Sequence, residues 1–252
     1  MTIKNEPFFG WIDIKLSEAD FSFITEGASY DTVEVRRTGG GGSWGNIGFA
    51  EIPVAEGFTS LKLRDLYAVS GRTYTYKFKL VDSSTSTAVS WELTASPIEC
   101  EFDGLWIGNE TAQYQAVMNV KITAQREYAV SYVMLYYSRY PHAIQSGTLD
   151  YIKGSAEGLF LRTENEEQVA DGCTFTIDGA TAYKDALAAF LTNGEPKVLK
   201  TRDGRIWYVM IDSPVNMASD DFIGDGIVSF NWTQIDSSPY EQTPGAGIVV
   251  VA

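Results

Sequence analysis

The sequence predicts a mainly β chain in two domains with one α-helix. Three observations predict it. Fourteen Tyr, thirteen Phe and six Trp stand beside 23 Gly in 252 residues, the makeup of strands punctuated by turns. Several stretches alternate apolar and polar residues with period two, and one stretch repeats at helical spacing. Between Ser96 and Asn109 the character shifts, with Pro97, Gly104 and Gly108 as breakers. This places a first β domain at residues 1–98, a linker at 99–114, a second β domain at 115–236 and a tail at 237–252.

The totals narrow the function classes. At 44% hydrophobic the chain is long enough for a packed core. The net charge of −14 argues against duplex binding, which needs Lys and Arg to neutralise phosphates. Residues 1–100 carry 9 Lys/Arg against 13 Asp/Glu, net −4, which leaves 10 against 20, net −10, for the remainder. Cys100 and Cys173 lie far apart, so two reduced, buried thiols are expected rather than a disulfide scaffold or a zinc cluster. The stretch "MTIKNEPFFGWIDIKL" lacks the apolar core of a signal peptide. No run of about 18 apolar residues predicts a membrane span.

In the first domain, "GWIDIKL" and "YDTVEVRR" read as strands, the latter with Val33 and Val35 on one face. "TGGGGSWGNIG" lacks the Gly-Lys-Ser/Thr of a phosphate-binding loop and reads as a loop between strands. In "LYAVSGRTYTYKFKLVD", Tyr74, Tyr76, Phe78 and Leu80 alternate with Thr75, Lys77 and Lys79, a half-buried strand. "STAVSWELTAS" reads as its hairpin partner. A Leu, a turn containing Gly71 and then Tyr74 resemble the corner of fibronectin type III domains. That resemblance implies an Ig/fibronectin III-like sandwich in which the Tyr74 hydroxyl ties back to the backbone.

In the second domain, Met118, Val120 and Ile122 alternate with Val117, Asn119 and Lys121 as in a strand. "REYAVSYVMLYYSRYPHAIQSG" is rich in aromatics and ends at Tyr140-Pro141, and "GTLDYIKGSAEGLFLRT" reads as a strand pair. The helix is expected at about 181–193, N-capped by Thr181. Its stripe is Tyr183, Leu187, Phe190 and Leu191, and Asn193-Gly194 followed by Pro196 stop it. "IVSFNWTQI" points Val228, Phe230 and Trp232 one way.

"LTNGEPKVLKTRDGRIWYVMI" contains a hairpin signal, Asp203-Gly204 between β-formers. A two-residue loop pairs Lys200 with Trp207, Leu199 with Tyr208 and Val198 with Val209. One face then holds Leu199, Thr201, Ile206, Tyr208 and Met210. The other holds Val198, Lys200, Trp207, Val209 and Ile211. Both are apolar, where a sheet with one wet face shows only one. Two arrangements fit. Either the hairpin lies between its own helix and another sheet, or another subunit buries one face and makes Trp207, Val209 and Ile211 an assembly interface. The tail ends in Ile248-Val249-Val250-Val251, which is expected to add as a strand to a sheet edge, a neighbouring subunit's being one candidate.

The second half, about 115–236, resembles a domain of tailed-bacteriophage baseplate and tail-tip proteins. The pieces that carry the resemblance are Tyr140-Pro141, "DYIKGSAEGLFL", "ALAAFLTNGEPKVLKTRDGRIWYVMI" and "IVSFNWTQI". It implies a tail-tube-like β-sandwich or split barrel with one flanking helix, and a ring around the tail channel, sixfold or threefold. It implies a non-enzymatic structural virion protein of the tail, assembled in the bacterial host's cytoplasm. The expected partners are further copies and other tail proteins. DNA would pass through the lumen without specific binding, and no membrane insertion or cofactor is expected. Distal tail proteins commonly place the ring domain first, whereas here the fibronectin-like module precedes it.

Two other function classes compete. A β-rich adhesion module would bind host saccharide, with Trp44 in the Gly-rich loop as the recognition residue. An enzyme would need a base, and His142 is the single histidine, with no Gly-x-Ser-x-Gly beside it. Asp220, Asp221 and Asp225 form a loose calcium-like grouping without the EF-hand order, and a solvated acidic loop is expected instead.

Overall fold

The computed structural model describes residues 1–7, 9–39, 49–160, 177–218, 227–236 and 247–251. Nine strands come first: β1 (Thr2–Glu6), β2 (Trp11–Leu16), β3 (Thr32–Gly39), β4 (Phe49–Pro53), β5 (Leu61–Asp65), β6 (Arg72–Asp82), β7 (Thr87–Ala88), β8 (Leu93–Thr94) and β9 (Ile98–Cys100). They form two facing sheets. One has the order β1-β2-β5, the other β4-β3-β6, with β7, β8 and β9 taking successive places along the edge of β6.

The alternation read from sequence fills the space between the sheets. Ile12, Ile14 and Leu16 from β2 meet Val33 and Val35 from β3 and Tyr74, Tyr76, Phe78 and Leu80 from β6, all fully or almost fully buried. The Tyr74 hydroxyl accepts a hydrogen bond from the Val69 N–H at 3.0 Å, the tie expected at this corner. Burial pushes that phenol up to about 12, against the lowering pull of the nearby Arg37 charge. Asp65, fully buried at the end of β5, locks the sheets together. Arg37 of β3 reaches both of its oxygens, at 2.5 and 2.6 Å, and the Tyr76 hydroxyl donates to it at 2.7 Å.

The second assembly comprises β10 (Leu105–Gly108), β11 (Gln113–Val133), β12 (His142–Phe160), α1 (Ile177–Thr192), β13 (Lys197–Thr201), β14 (Ile206–Met217) and β15 (Val228–Asp236). The six strands close into a barrel of order β10-β11-β12-β15-β14-β13. Leu187, Phe190 and Leu191 of α1 join its core beside Trp207 and Trp232, whose rings lie 5.0 Å apart. At Gly154 the Trp232 ring and the Thr123 carbonyl come so close that a Cβ would lie 2.9 and 1.8 Å from them, so β12 needs glycine there.

Several expectations change. Residues 99–114, read as a linker, contain the whole of β10. "GTLDYIKGSAEGLFLRT", read as a strand pair, lies within the single strand β12 as far as Phe160. The helix starts at Ile177, so Thr181 lies inside it and is not its cap. It ends as expected, with Gly194 in the left-handed region at φ 75°.

The β13–β14 loop has three residues rather than two. Thr201 N–H donates to Arg205 O at 3.0 Å, Gly204 N–H to Thr201 O at 3.1 Å, and Gly204 alone of the loop has positive φ. Asp-Gly serves this type I turn with a glycine bulge as well as the tighter turn. The register therefore slips by one. Leu199 pairs with Trp207, Val198 with Tyr208 and Lys197 with Val209. A one-residue slip moves side chains to the opposite face.

The corrected register explains the two apolar faces. Leu199, Trp207 and Val209 point into the barrel. Val198, Ile206 and Tyr208 meet Leu66, Tyr67 and Val69 of the first assembly in a separate cluster. The final strand, β16 (Ile248–Val250), pairs antiparallel with β5, and Val249 joins this same cluster. The tail thus adds to an edge of its own chain's first sheet, giving the order β1-β2-β5-β16.

At the centre of the seam is Lys200, 2% exposed. Its ammonium donates to the carbonyls of Gly10 and Leu66, both at 2.6 Å, and of Ala68 at 3.2 Å. Trp106 of β10 stands opposite it in the ladder and packs into the first core between Trp11 and Phe102. Burial above all holds the lysine at about 8, below its ordinary 10.5; the nearby Cys100 and Asp65 oppose that shift.

Each buried carbonyl left without its donor costs about 1–3 kcal/mol. Lys200→Met is therefore expected to destabilise the chain by about 2–4 kcal/mol in urea unfolding. Because the unfolded lysine holds its proton more tightly than the folded one, this group's contribution to stability rises from pH 8 to about 10.5 and is lost as pH falls back through 8. Wild-type stability relative to Lys200→Met should rise across that window; a flat difference would contradict the assignment.

Candidate assembly surface

β11 and β12 pair with each other from Ala116↔Phe160 to Val133↔His142. β10 covers β11 only across Gln113–Ala116, and β15 covers β12 only across Lys153–Gly158. Beyond Gln125 and Lys153 the hairpin leaves the barrel as a two-stranded arm. Eight residues separate Gln125 from Val133, so the arm reaches roughly 25 Å before its turn. Both of its edges present backbone N–H and C=O groups that no described strand pairs.

The arm keeps its register through cross-strand ion pairs. Arg126 holds Asp150 through two bonds of 2.6 and 2.5 Å, and Lys153 lies 2.7 Å from Glu127. The Arg126 guanidinium holds the Asp150 carboxyl below the usual carboxylate range. These are diagonal neighbours in an antiparallel ladder, the second-closest cross-strand relation.

At the tip the chemistry changes. From Tyr128 to Leu149 there is no Asp or Glu, in a chain of net charge −14. Met134, Leu135 and Tyr140 are exposed, Tyr136 is 88% exposed and Tyr137 97% exposed. The turn is closed by Ser138 N–H donating to Leu135 O at 3.0 Å, and Tyr137 sits in the left-handed region at φ 75°. An L-residue with a Cβ carries about 1–2 kcal/mol there that glycine would avoid. Side chains of this kind gain nothing from display to water, and contiguous exposed apolar patches mark interaction sites.

The residues singled out from sequence lie elsewhere. Trp207 and Val209 are buried in the barrel core and Ile211 packs against it, so the chain itself covers the face read as an assembly interface. Ile248, Val249 and Val250 form β16, and Val251 N–H donates to Lys62 O at 2.9 Å beside it. Trp44, Asp220, Asp221, Asp225 and Cys173 lie outside the described residues. His142 is exposed at the end of the arm, paired with Val133, and among the described residues no nucleophile bonds to it. Cys100 is buried, and burial pushes its thiol up to about 12. Among the described residues no three His, Cys, Asp or Glu side chains group as metal ligands, and no helix is long and apolar enough to cross a membrane.

No family model matches this chain, and no curated protein matches it. A solved structure described as "Virion of native gene transfer agent (GTA) particle" is similar with a TM-score of 0.33 and 12% identity, covering 59% of this chain and 95% of that one. A likeness at that score carries no argument about fold or function.

The core and the arm tip should respond oppositely to substitution. Trp207→Asp or Val209→Asp buries an unpaired charge, and each is expected to unfold the chain, a loss above about 4 kcal/mol seen by circular dichroism. Tyr137→Gly touches no core and relieves the turn, so its melting temperature should not fall and should rise by about 2–8 °C.

Proposed function

We propose that this chain is a structural virion protein, a subunit of a phage tail-tip or baseplate ring that surrounds the DNA channel and docks other tail proteins. The observation that carries this reading is the arm. A two-stranded ribbon with open edges and an aromatic tip is marginal on its own in water, and it becomes a good element when neighbouring copies cover it. The resemblance of residues 115–236 to baseplate and tail-tip domains supports the same reading. So does the barrel with one attached helix, joined to an outer β-sandwich. A closed ring of identical subunits uses two complementary patches per copy, and the arm supplies one of them. The acidic surface then suits a lumen that DNA traverses without adhering. The chemistry required is assembly alone, with no catalytic step.

Native mass spectrometry of the full chain with negative-stain microscopy tests this. The expected particle is a ring whose mass is a multiple of 27.8 kDa, six copies being the anticipated number. Replacing Tyr136 and Tyr137 with Ser should leave a folded subunit that no longer assembles. A chain that stays strictly monomeric even when mixed with tail partners, or rings that form unchanged without those tyrosines, would count against the proposal.

A further inference from the structure

On the outer edge of the β-sandwich, far in sequence from the arm, two aromatic rings stand together in water. Trp91 is 69% exposed and Phe23 45% exposed, with ring centroids 5.2 Å apart and planes tilted by 30°. Solvent exposure forfeits much of what a tryptophan contributes to a core. Several local features produce this exposure.

The edge strand beside β6 is broken between β7 and β8, and the break carries Trp91 and Glu92. Leu80 N–H donates at 2.9 Å to the hydroxyl of Ser90, where a strand carbonyl would otherwise stand. That hydroxyl donates in turn to Trp91 O at 3.1 Å. The side chain of Ser90 thus takes a backbone place in the ladder, and the next two residues turn outward. Breaks of this kind re-aim side chains at functional edges.

Phe23 is brought alongside by a second set of bonds. Ile24 bridges Ser90, and Thr25 donates to Val89 O from its N–H at 2.8 Å and from its hydroxyl at 3.1 Å. Two distant segments are therefore pinned so that their aromatic rings adjoin.

The rim is polar and internally matched. Glu92 accepts from Lys77 at 2.7 Å and lies 3.9 Å from Lys79. These charges already answer one another, which leaves ring faces and hydrogen-bonding groups as the means of recognition. That combination suits an uncharged ring with apolar C–H faces and a hydroxyl periphery. We propose that Phe23 and Trp91 form a stacking site for a neutral pyranose of a cell-surface saccharide, with Lys77 and Glu92 at its hydroxyl rim. The site is independent of the ring reading, because a monomer presents it as well as a ring does.

The test uses the full chain on an array of oligosaccharides built from glucose, galactose, rhamnose and N-acetylglucosamine, with anionic glycans alongside. Intrinsic fluorescence titration of the best member follows. Wild type is expected to bind at least one neutral member. Trp91→Ala and Phe23→Ala should each weaken that binding about tenfold or more, and Trp91→Phe should weaken it less. Melting temperature and native mass should stay unchanged in all three variants. The proposal is overturned if no neutral member binds, if only anionic glycans bind, or if Trp91→Ala binds as wild type does. A Trp91→Ala variant whose native mass changes would overturn it too, since the rings would then be a contact between copies.

Discussion

Lys200 and the strand pair that carries it hold the two halves of this chain in one body. β13 is buried along its whole length, and so is β10 beside it. One face of the pair belongs to the barrel and the other to the seam with the β-sandwich. A strand buried on both sides reads as a nearly continuous apolar run, and β10 is "LWIG" for that reason. β13, "KVLKT", departs from that pattern with buried Lys197, Lys200 and Thr201. At the centre of the seam Lys200 is tolerable because its ammonium meets carbonyls from the ends and corners of sandwich strands. Those carbonyls have no ladder partner to spare, so the lysine satisfies them while they satisfy it.

The surrounding polar groups obey the same constraint. Asp65 is buried but accepts from Arg37, from the Tyr76 hydroxyl and from the Tyr67 N–H. Burial, with the Asp65 charge adding to it, holds the Tyr76 phenol well above its ordinary range and keeps it a donor. β16 closes the seam from the other side, coming from the end of the chain to lie on β5. With the domains tied at β10, β13 and β16, the sandwich is fixed to the barrel rather than a module on a tether. A rigid mount suits either a ring subunit or an exposed stacking site, since both lose affinity when their parts must first be ordered.

The arm follows an opposite logic. Its aromatic residues are not balanced by a core, and its ion pairs are exposed and screened by water. The rings of Tyr136 and Tyr137 meet edge to face at 4.6 Å, yet both stay almost wholly exposed to water. The aromatic-rich run from Tyr128 to Tyr140 was visible in the sequence, but its placement was not. Aromatics in β-structure usually face a core, and only the short overlap with β10 and β15 shows that this hairpin outruns its sheet.

The sequence by itself determined the mainly β class, the strands β2, β3 and β6 with their inward residues, the Tyr74 tie and the apolar stripe and glycine stop of α1. Each of these depends on residues close together in the chain, where period and turn chemistry act directly. Tertiary structure alone decided the rest. The Asp203-Gly204 turn permitted two registers, and packing of Leu199 against Trp207 inside a closed barrel accompanies the one adopted. Trp207 and Val209 became core rather than interface, because the seam with Leu66, Tyr67 and Val69 covers the other face. Ile248 to Val250 found an edge about 185 positions earlier in the chain. Trp91 turned outward because Ser90 replaced a backbone carbonyl. In every such case the deciding contact joins segments remote in sequence, and no local pattern encodes which remote surface will be there.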